Sequence, residues 1–158
     1  MITELLVSLG DTALASWLRQ SGIGYPLLST AHILGIALLL GSVLILDLRL
    51  LGITKSGALN VLAPLLNRFA ACGLLLAMVT GSLLFSVQPA HYLANSAFLL
   101  KLTLLLLALL NVLLVHWLPH WQALLNGQAP TLFLKVTALL SLVLWLVILL
   151  AGRWIAFV

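Results

Sequence analysis

A chain of 158 residues that is 64% hydrophobic and only 6% charged falls far short of the roughly 25% charge that covers a soluble domain, and its mean hydropathy of +1.29 excludes water as its main solvent. The net charge of +4, from 7 Lys/Arg against 3 acids, is scattered at the ends of apolar runs, with no basic patch interleaved with aromatics and so no nucleic-acid footprint. The single cysteine, Cys72, excludes an internal disulfide and any paired-cysteine zinc or redox site.

The opening stretch MITELLVSLGDTALASW has no basic start. Glu4 and Asp11 stand where a signal peptide would be apolar or positive, so the segment is expected to stay on the mature chain. On a helix Ile2, Leu5, Leu6, Leu9, Ala13, Leu14, Trp17 and Leu18 share one face, and Glu4, Ser8, Asp11 and Arg19 the other. Residues 1–20 are therefore expected to form an amphipathic helix in the membrane interface. A helix packed across the ends of a bundle is the compatible alternative.

Residues 21–158 read as a bundle of spans, each near the ~20 apolar residues that cross ~30 Å of hydrocarbon. Ser21, Gly22 and Gly24 end the first helix, and Pro26 opens the next at a first-turn position where its missing N–H does no harm. The first span is expected over 26–46, followed by a mixed loop from Asp47 to Asn67 that holds Arg49, Lys55, Gly57 and Pro64. A second runs over 69–87 and is closed by Pro89; after AHYLANSA a third runs over 98–117 and is stopped by Pro119. HWQALLNGQAP is a second loop with Asn126-Gly127 as its turn signal, and 131–151 is the fourth span, with Arg153 and Trp154 at its end. The fold class is thus all-α, an integral-membrane four-helix bundle preceded by an interfacial helix.

Four spans put both termini on one side. Arg49, Lys55, Arg68 and Lys135 gather at the other side, against Arg19, Lys101 and Arg153, and this bias favours termini outside and the DLRLLG loop inside. Trp17, Tyr25, Tyr92 and Trp154 then form one aromatic belt, Trp117 and Trp121 the other. Gly73, Ala77 and Gly81 recur every four residues, and Ala31, Gly35 and Gly41/Ser42 give a similar ridge. Such ridges let helices approach in lipid, either between the first two spans or as a seam between copies of the chain.

Polar side chains inside spans are costly unless paired or wet, so each asks for a reason. His32 lies ~9 Å into the first span by helical rise; it is either a neutral imidazole bonded to Ser29 or Thr30, or a metal or haem ligand. Asp47 and Arg49, two apart, point to opposite sides of a helix. They read as an interfacial acid and a snorkelling arginine, or as part of a proton or ion gate or a docking surface. Lys101 either snorkels outward or neutralises an anion such as a haem propionate. Asn111 reads as inter-helix glue.

His116 and His32 differ in depth by ~19 Å, too far for two ligands each about 2 Å from one iron. His91 is the better mate, although it lies roughly 10 Å above His32 unless the chain folds back after Pro89. His32, His91, Tyr92, Lys101, Trp145 and Arg153 gather at that outer level, where a b-type haem or a quinone head group would suit two histidines and two cations. His116 and His120 in HWLPH are four apart, a ligand spacing on an unbroken helix that Pro119 distorts.

The pattern AHILGIALLLGSVLILDLRLLG, with TGSLLF from Thr80, YLANSAFLLK from Tyr92 and NVLLVH from Asn111, resembles an uncharacterised bacterial family of small four-span inner-membrane proteins. The likeness covers roughly Tyr25 to Trp117, and its most distinctive part is a histidine and glycine followed by DLRLLG. It implies the topology and marks His32, Asp47, Arg49, Lys101, Asn111 and His116, but carries no activity. Where that family reads Asn-Pro before the third span, this chain has Asn95-Ser96. A looser likeness to four-helix b-type cytochromes concerns architecture only.

The leading expectation is a small inner-membrane protein that binds haem or quinone through His32, His91, Lys101 and Arg153, and passes electrons between a periplasmic partner and the quinone pool. The alternative is a non-catalytic oligomeric subunit or channel, with Gly73, Ala77 and Gly81 as its seam and Asp47, Arg49 and Asn111 lining a polar path. No HExxH, GxSxG or paired intramembrane carboxylates point to a hydrolase.

Overall fold

The structure is a computed structural model that describes residues 12–54 and 58–157. The expected interfacial helix is therefore seen only in its second half; Glu4 and Asp11, and Lys55 of the first loop, lie outside the described residues. Among the described residues all regular structure is helical: α1 (Ala13–Gln20), α2 (Gly24–Leu50), α3 (Leu59–Val87), α4 (Pro89–Ala94), α5 (Ser96–Trp117), α6 (Pro119–Leu125), α7 (Leu132–Trp154) and a 3-10 turn, Ile155–Phe157. Four of them, α2, α3, α5 and α7, are long and apolar enough to cross a bilayer, and the chain is a multi-pass membrane protein. The outer surface is what lipid requires: Leu99, Leu106, Leu110, Leu113, Leu139 and Leu150 are all exposed.

Local chemistry sets the boundaries. Thr12 caps α1, its Oγ1 accepting from Ala15 N–H at 3.3 Å, and Ser21 Oγ accepts from Gly24 N–H at 2.8 Å to start α2. Pro89 and Pro119 each end one helix and occupy the first turn of the next, because a residue without an N–H can begin a hydrogen-bond ladder though not extend one. AHYLANSA and HWQALLNGQAP, expected as loops, accordingly contain α4 and α6. Gly52 (φ 81°) and Gly127 (φ 86°) take the left-handed conformation that closes α2 and α6, with Ile53 N–H reaching Leu48 O and Gln128 N–H reaching Ala123 O at 3.1 Å each.

The largest departure from expectation is the start of α3. The segment before Asn67, read as loop, is helical from Leu59. Its apolar residues Leu59, Leu62, Ala63, Leu66 and Ala70 keep the helical spacing, and Pro64, in the sixth position, removes a single bond near the helix start. At 29 residues and about 1.5 Å each, α3 overshoots the hydrocarbon, and its first turns project into an end cap.

That cap is one of two cores. Leu46 and Leu50 of α2, Ala63 and Leu66 of α3, Trp121 and Leu124 of α6, and Leu134 and Ala138 of α7 close the end of the bundle where α2 turns into α3, the hairpin end. Trp121, read as part of an aromatic belt, is instead 5% exposed within this core, because α6 folds back under the bundle. Trp117, Trp17 and Trp154 do face outward. The second core, Leu39, Ala108, Leu144, Trp145 and Ile148, lies between α2, α5 and α7.

Helices α2 and α3 form the closest pair, α5 and α7 the next. A Cβ on Gly35 would lie 2.7 Å from Ala77 N, and one on Gly73 2.5 Å from Leu39 N, so backbone meets backbone where the small ridges cross. The ridge of Gly73, Ala77 and Gly81 is thus covered by α2 of the same chain. A seam between copies has to use another face.

Candidate functional site

The polar groups expected to cluster near the chain termini are best followed from His32. Gly81 faces it from α3, and a Cβ there would lie 2.9 Å from His32 Cε1, so the imidazole rests on bare backbone. His32 Nδ1 lies 3.1 Å from Thr80 Oγ1, not against Ser29 or Thr30; the Thr30 hydroxyl donates to Pro26 O of its own helix at 2.8 Å. Thr80 donates its hydroxyl proton to Leu76 O at 2.6 Å. Its oxygen therefore accepts from His32 Nδ1–H, and Nε2 is left with a lone pair.

Lys101 joins this group from α5. Its side chain is half-buried and runs beside Gly152 of α7, where a Cβ would lie 3.6 Å from Nζ, and its charge acts on His32. The lysine is turned into the bundle rather than snorkelling out. His91 stands apart: it is exposed on α4, edge-on to Tyr92 with centroids 6.0 Å apart. Arg153 is exposed at the end of α7 with its guanidinium 5.0 Å from the Phe157 ring centroid. Trp145, expected beside the histidines, is 4% exposed in the second core.

Phe85, Tyr92 and Phe98 form an aromatic cluster across α3, α4 and α5, with Phe85 and Phe98 stacked at 5.6 Å. Beside it an open cleft of about 230 Å³ is lined by Arg19, Tyr25, Val87, Gln88 and Tyr92. Burial, then the charge and hydrogen bond of Tyr25, push the Tyr92 phenol up to about 12. Because the folded value exceeds the ordinary value of about 10, the fold favours the neutral phenol, and this contribution to stability is complete below about 10 and is lost as pH rises toward 12. An ultraviolet titration of tyrosinate should show a component with its midpoint near 12 that disappears in Tyr92→Phe; an unchanged titration would contradict the packing described.

A second polar region lies toward the hairpin end. Asp47 is 5% exposed, buried within the protein with its carboxyl toward the Ser141 side chain of α7. Arg49 points elsewhere, its Nη1 donating to Thr54 O at 2.8 Å across the turn after α2. Asn111, 7% exposed, donates from Nδ2 to Thr137 O at 3.1 Å and ties α5 to α7 as inter-helix glue does. His116 donates from Nδ1 to Val112 O and accepts at Nε2 from Asn67 Nδ2–H, both at 2.8 Å. With both nitrogens engaged, His116 is not a metal ligand as it stands, and His120 turns away to Phe133 at 5.1 Å. Among the described residues no three of His, Cys, Asp and Glu converge in a metal-binding group.

Several partners were missed from sequence. Thr80 and Ser141 are small hydroxyl residues within largely apolar runs; a depth count outward from the turn between α2 and α3 would have matched Thr80 to His32. Asn95, which precedes the serine that departs from the family's Asn-Pro pair, is buried and caps α5, accepting from Phe98 N–H and donating to Ile155 O at 3.1 Å each.

Compared with known protein families, residues 11–158 match DUF6644, a family of unknown function. No curated protein matches the chain, and no solved structure does.

Proposed function

We propose that this chain, which belongs to the family of unknown function DUF6644, holds a redox cofactor against His32 and passes electrons between the quinone pool and a partner on the side of the chain termini. The observation that carries the reading is the 3.1 Å contact between His32 Nδ1 and Thr80 Oγ1. A ligating histidine characteristically donates its other N–H to a fixed acceptor, which orients the ring, and Thr80 fills that place. Gly81 and Gly152 let the imidazole and the lysine side chain pack directly against bare backbone. A b-type haem would be held by His32 through Nε2, with Lys101 and Arg153 supplying the positive charge that its carboxylates need. A quinone head group is the alternative occupant. Its carbonyl oxygens need donors, which Lys101 supplies and a bare Nε2 does not, so the lone pair favours iron. The excess of Lys/Arg at the hairpin end supports a bacterial inner-membrane protein with periplasmic termini.

The test is a reduced-minus-oxidised absorbance spectrum of protein purified from haem-replete cells. A Soret shift is expected, absent in His32→Ala and retained in His120→Ala. His91→Ala separates one-histidine from two-histidine ligation, since its low-spin features change only if His91 reaches the iron. A colourless protein with no extractable quinone would overturn the reading. The second reading, a non-catalytic oligomeric or channel-like subunit with a polar path near Asp47, Arg49 and Asn111, draws on the buried polar atoms of Asp47 and Asn111; a strictly monomeric mass in detergent would count against it.

A further inference from the structure

Asp47 is the one acid of the chain beyond residue 11, and it is buried between α2 and α7. One side of its carboxyl meets the Ser141 side chain; the other oxygen, Oδ2, is buried with no hydrogen-bond partner. Asn111 shows the same imbalance. Its Nδ2 donates to Thr137 O, while its Oδ1 is buried and unpartnered. Thr137 and Ser141 are four apart, one turn on the same face of α7, so the two side chains reach adjacent rungs of one helix from opposite neighbours. The Thr137 hydroxyl proton is already directed to Phe133 O and Leu134 O at 3.1 Å and cannot serve either oxygen.

Two buried acceptors therefore stand beside one helix face with no donor for either. Among the described residues, the ionisable groups of this end do not fill the gap. Arg49 on the same helix donates to Thr54 O; Arg68 of α3 and Lys135 of α7 are exposed; His116 of α5 is held by Asn67 and Val112; His120 of α6 lies against Phe133. What acts on the Asp47 carboxyl is burial and Ser141. An ionised carboxylate in such a place is far costlier than a neutral acid. A proton on Oδ2 removes the charge and supplies the missing donor, and Asn111 Oδ1 is a buried acceptor left open at the same end of the bundle.

We propose that Asp47 and Asn111 form an intramembrane proton-binding site between α2, α5 and α7, in which Asp47 holds an exchangeable proton directed to Asn111 Oδ1, directly or through one water. The ligand is a proton, and the site is independent of any cofactor at His32. Asp47 is three residues from the end of α2, so exchange runs to the hairpin end. A water alone would satisfy both acceptors but leave the charge, and a sodium ion would respond to salt rather than to pH.

The experiment is infrared spectroscopy of the full chain in lipid nanodiscs, with carbon-13 aspartate in an Asp11→Asn background so that Asp47 is the only labelled carboxyl. Expected are a labelled protonated-acid C=O band at neutral pH that moves in heavy water, reversible conversion to carboxylate on alkalinisation, and a shift of the band in Asn111→Leu. Only carboxylate bands at neutral pH would overturn the proposal, as would bands that follow sodium at fixed pH. A C=O band that never converts before unfolding would make Asp47 a structural acid and overturn exchange, and a band indifferent to Asn111→Leu would overturn the pairing. Because the label reads the native aspartate, none of these outcomes depends on an Asp47 variant folding.

Discussion

Gly73→Ala is expected to lower the unfolding midpoint of the purified protein in detergent by an amount equivalent to about 2–3 kcal/mol, even after the gain of about 1 kcal/mol in helix propensity. The added methyl would lie 2.5 Å from Leu39 N and 2.7 Å from Gly35 O. Both obstacles are backbone atoms, which cannot rotate away as a side chain can. The helices have to separate, and the contacts along the whole α2–α3 seam weaken together. Gly41→Ala is the control, since nothing lies within 4 Å of a Cβ there; it should be neutral or slightly stabilising. Combining Gly35→Ala with Gly73→Ala should cost less than the sum, because the two glycines pack on each other and one separation relieves both overlaps. Equal midpoints for Gly73→Ala and Gly41→Ala would refute the close crossing.

Trp121→Ala is expected to cost about 3–5 kcal/mol, the usual range for deleting a large buried aromatic. Trp121 is 5% exposed, beside Leu124 and Leu134 at 1% each, and its ring lies 4.8 Å from that of His116. Its loss would leave a cavity under the hairpin end and remove the floor against which His116 and Asn67 are held. Trp117→Ala tests the assignment from the other side: that indole is 84% exposed, and its removal should leave the midpoint nearly unchanged. Chemical unfolding followed by circular dichroism of the pair would decide the matter. A small effect at Trp121 would mean that α6 does not close the bundle.

The four long helices were legible in the sequence because the signal is coarse and strong: a run of apolar residues long enough to cross lipid has few other uses. The connections were harder. Leu59 to Asn67 contains two asparagines and a proline, and polarity counted over a window hid the helical spacing of Leu59, Leu62, Ala63 and Leu66. Trp121 fitted the habits of an interfacial tryptophan, and only the fold-back of α6 places it indoors. Of the polar residues, His32, Asp47, Lys101 and Asn111 stood out as expensive in lipid, whereas what each one meets depended on how helices distant in the chain are rotated. Thr80 and Ser141 are inconspicuous alone and acquire meaning only opposite His32 and Asp47. The small-residue ridge was legible as a contact surface, and its use inside the chain follows from α2 being the first neighbour available.

The backbone crossing of α2 and α3 also bears on biogenesis. These two helices leave the ribosome before α5 and α7, and their seam needs nothing from either to be complete. A nascent chain that has released little beyond Val87 already holds a finished helical pair, against which the second hairpin can dock, with Ser141 and Thr137 arriving last to meet polar groups that waited in the bilayer.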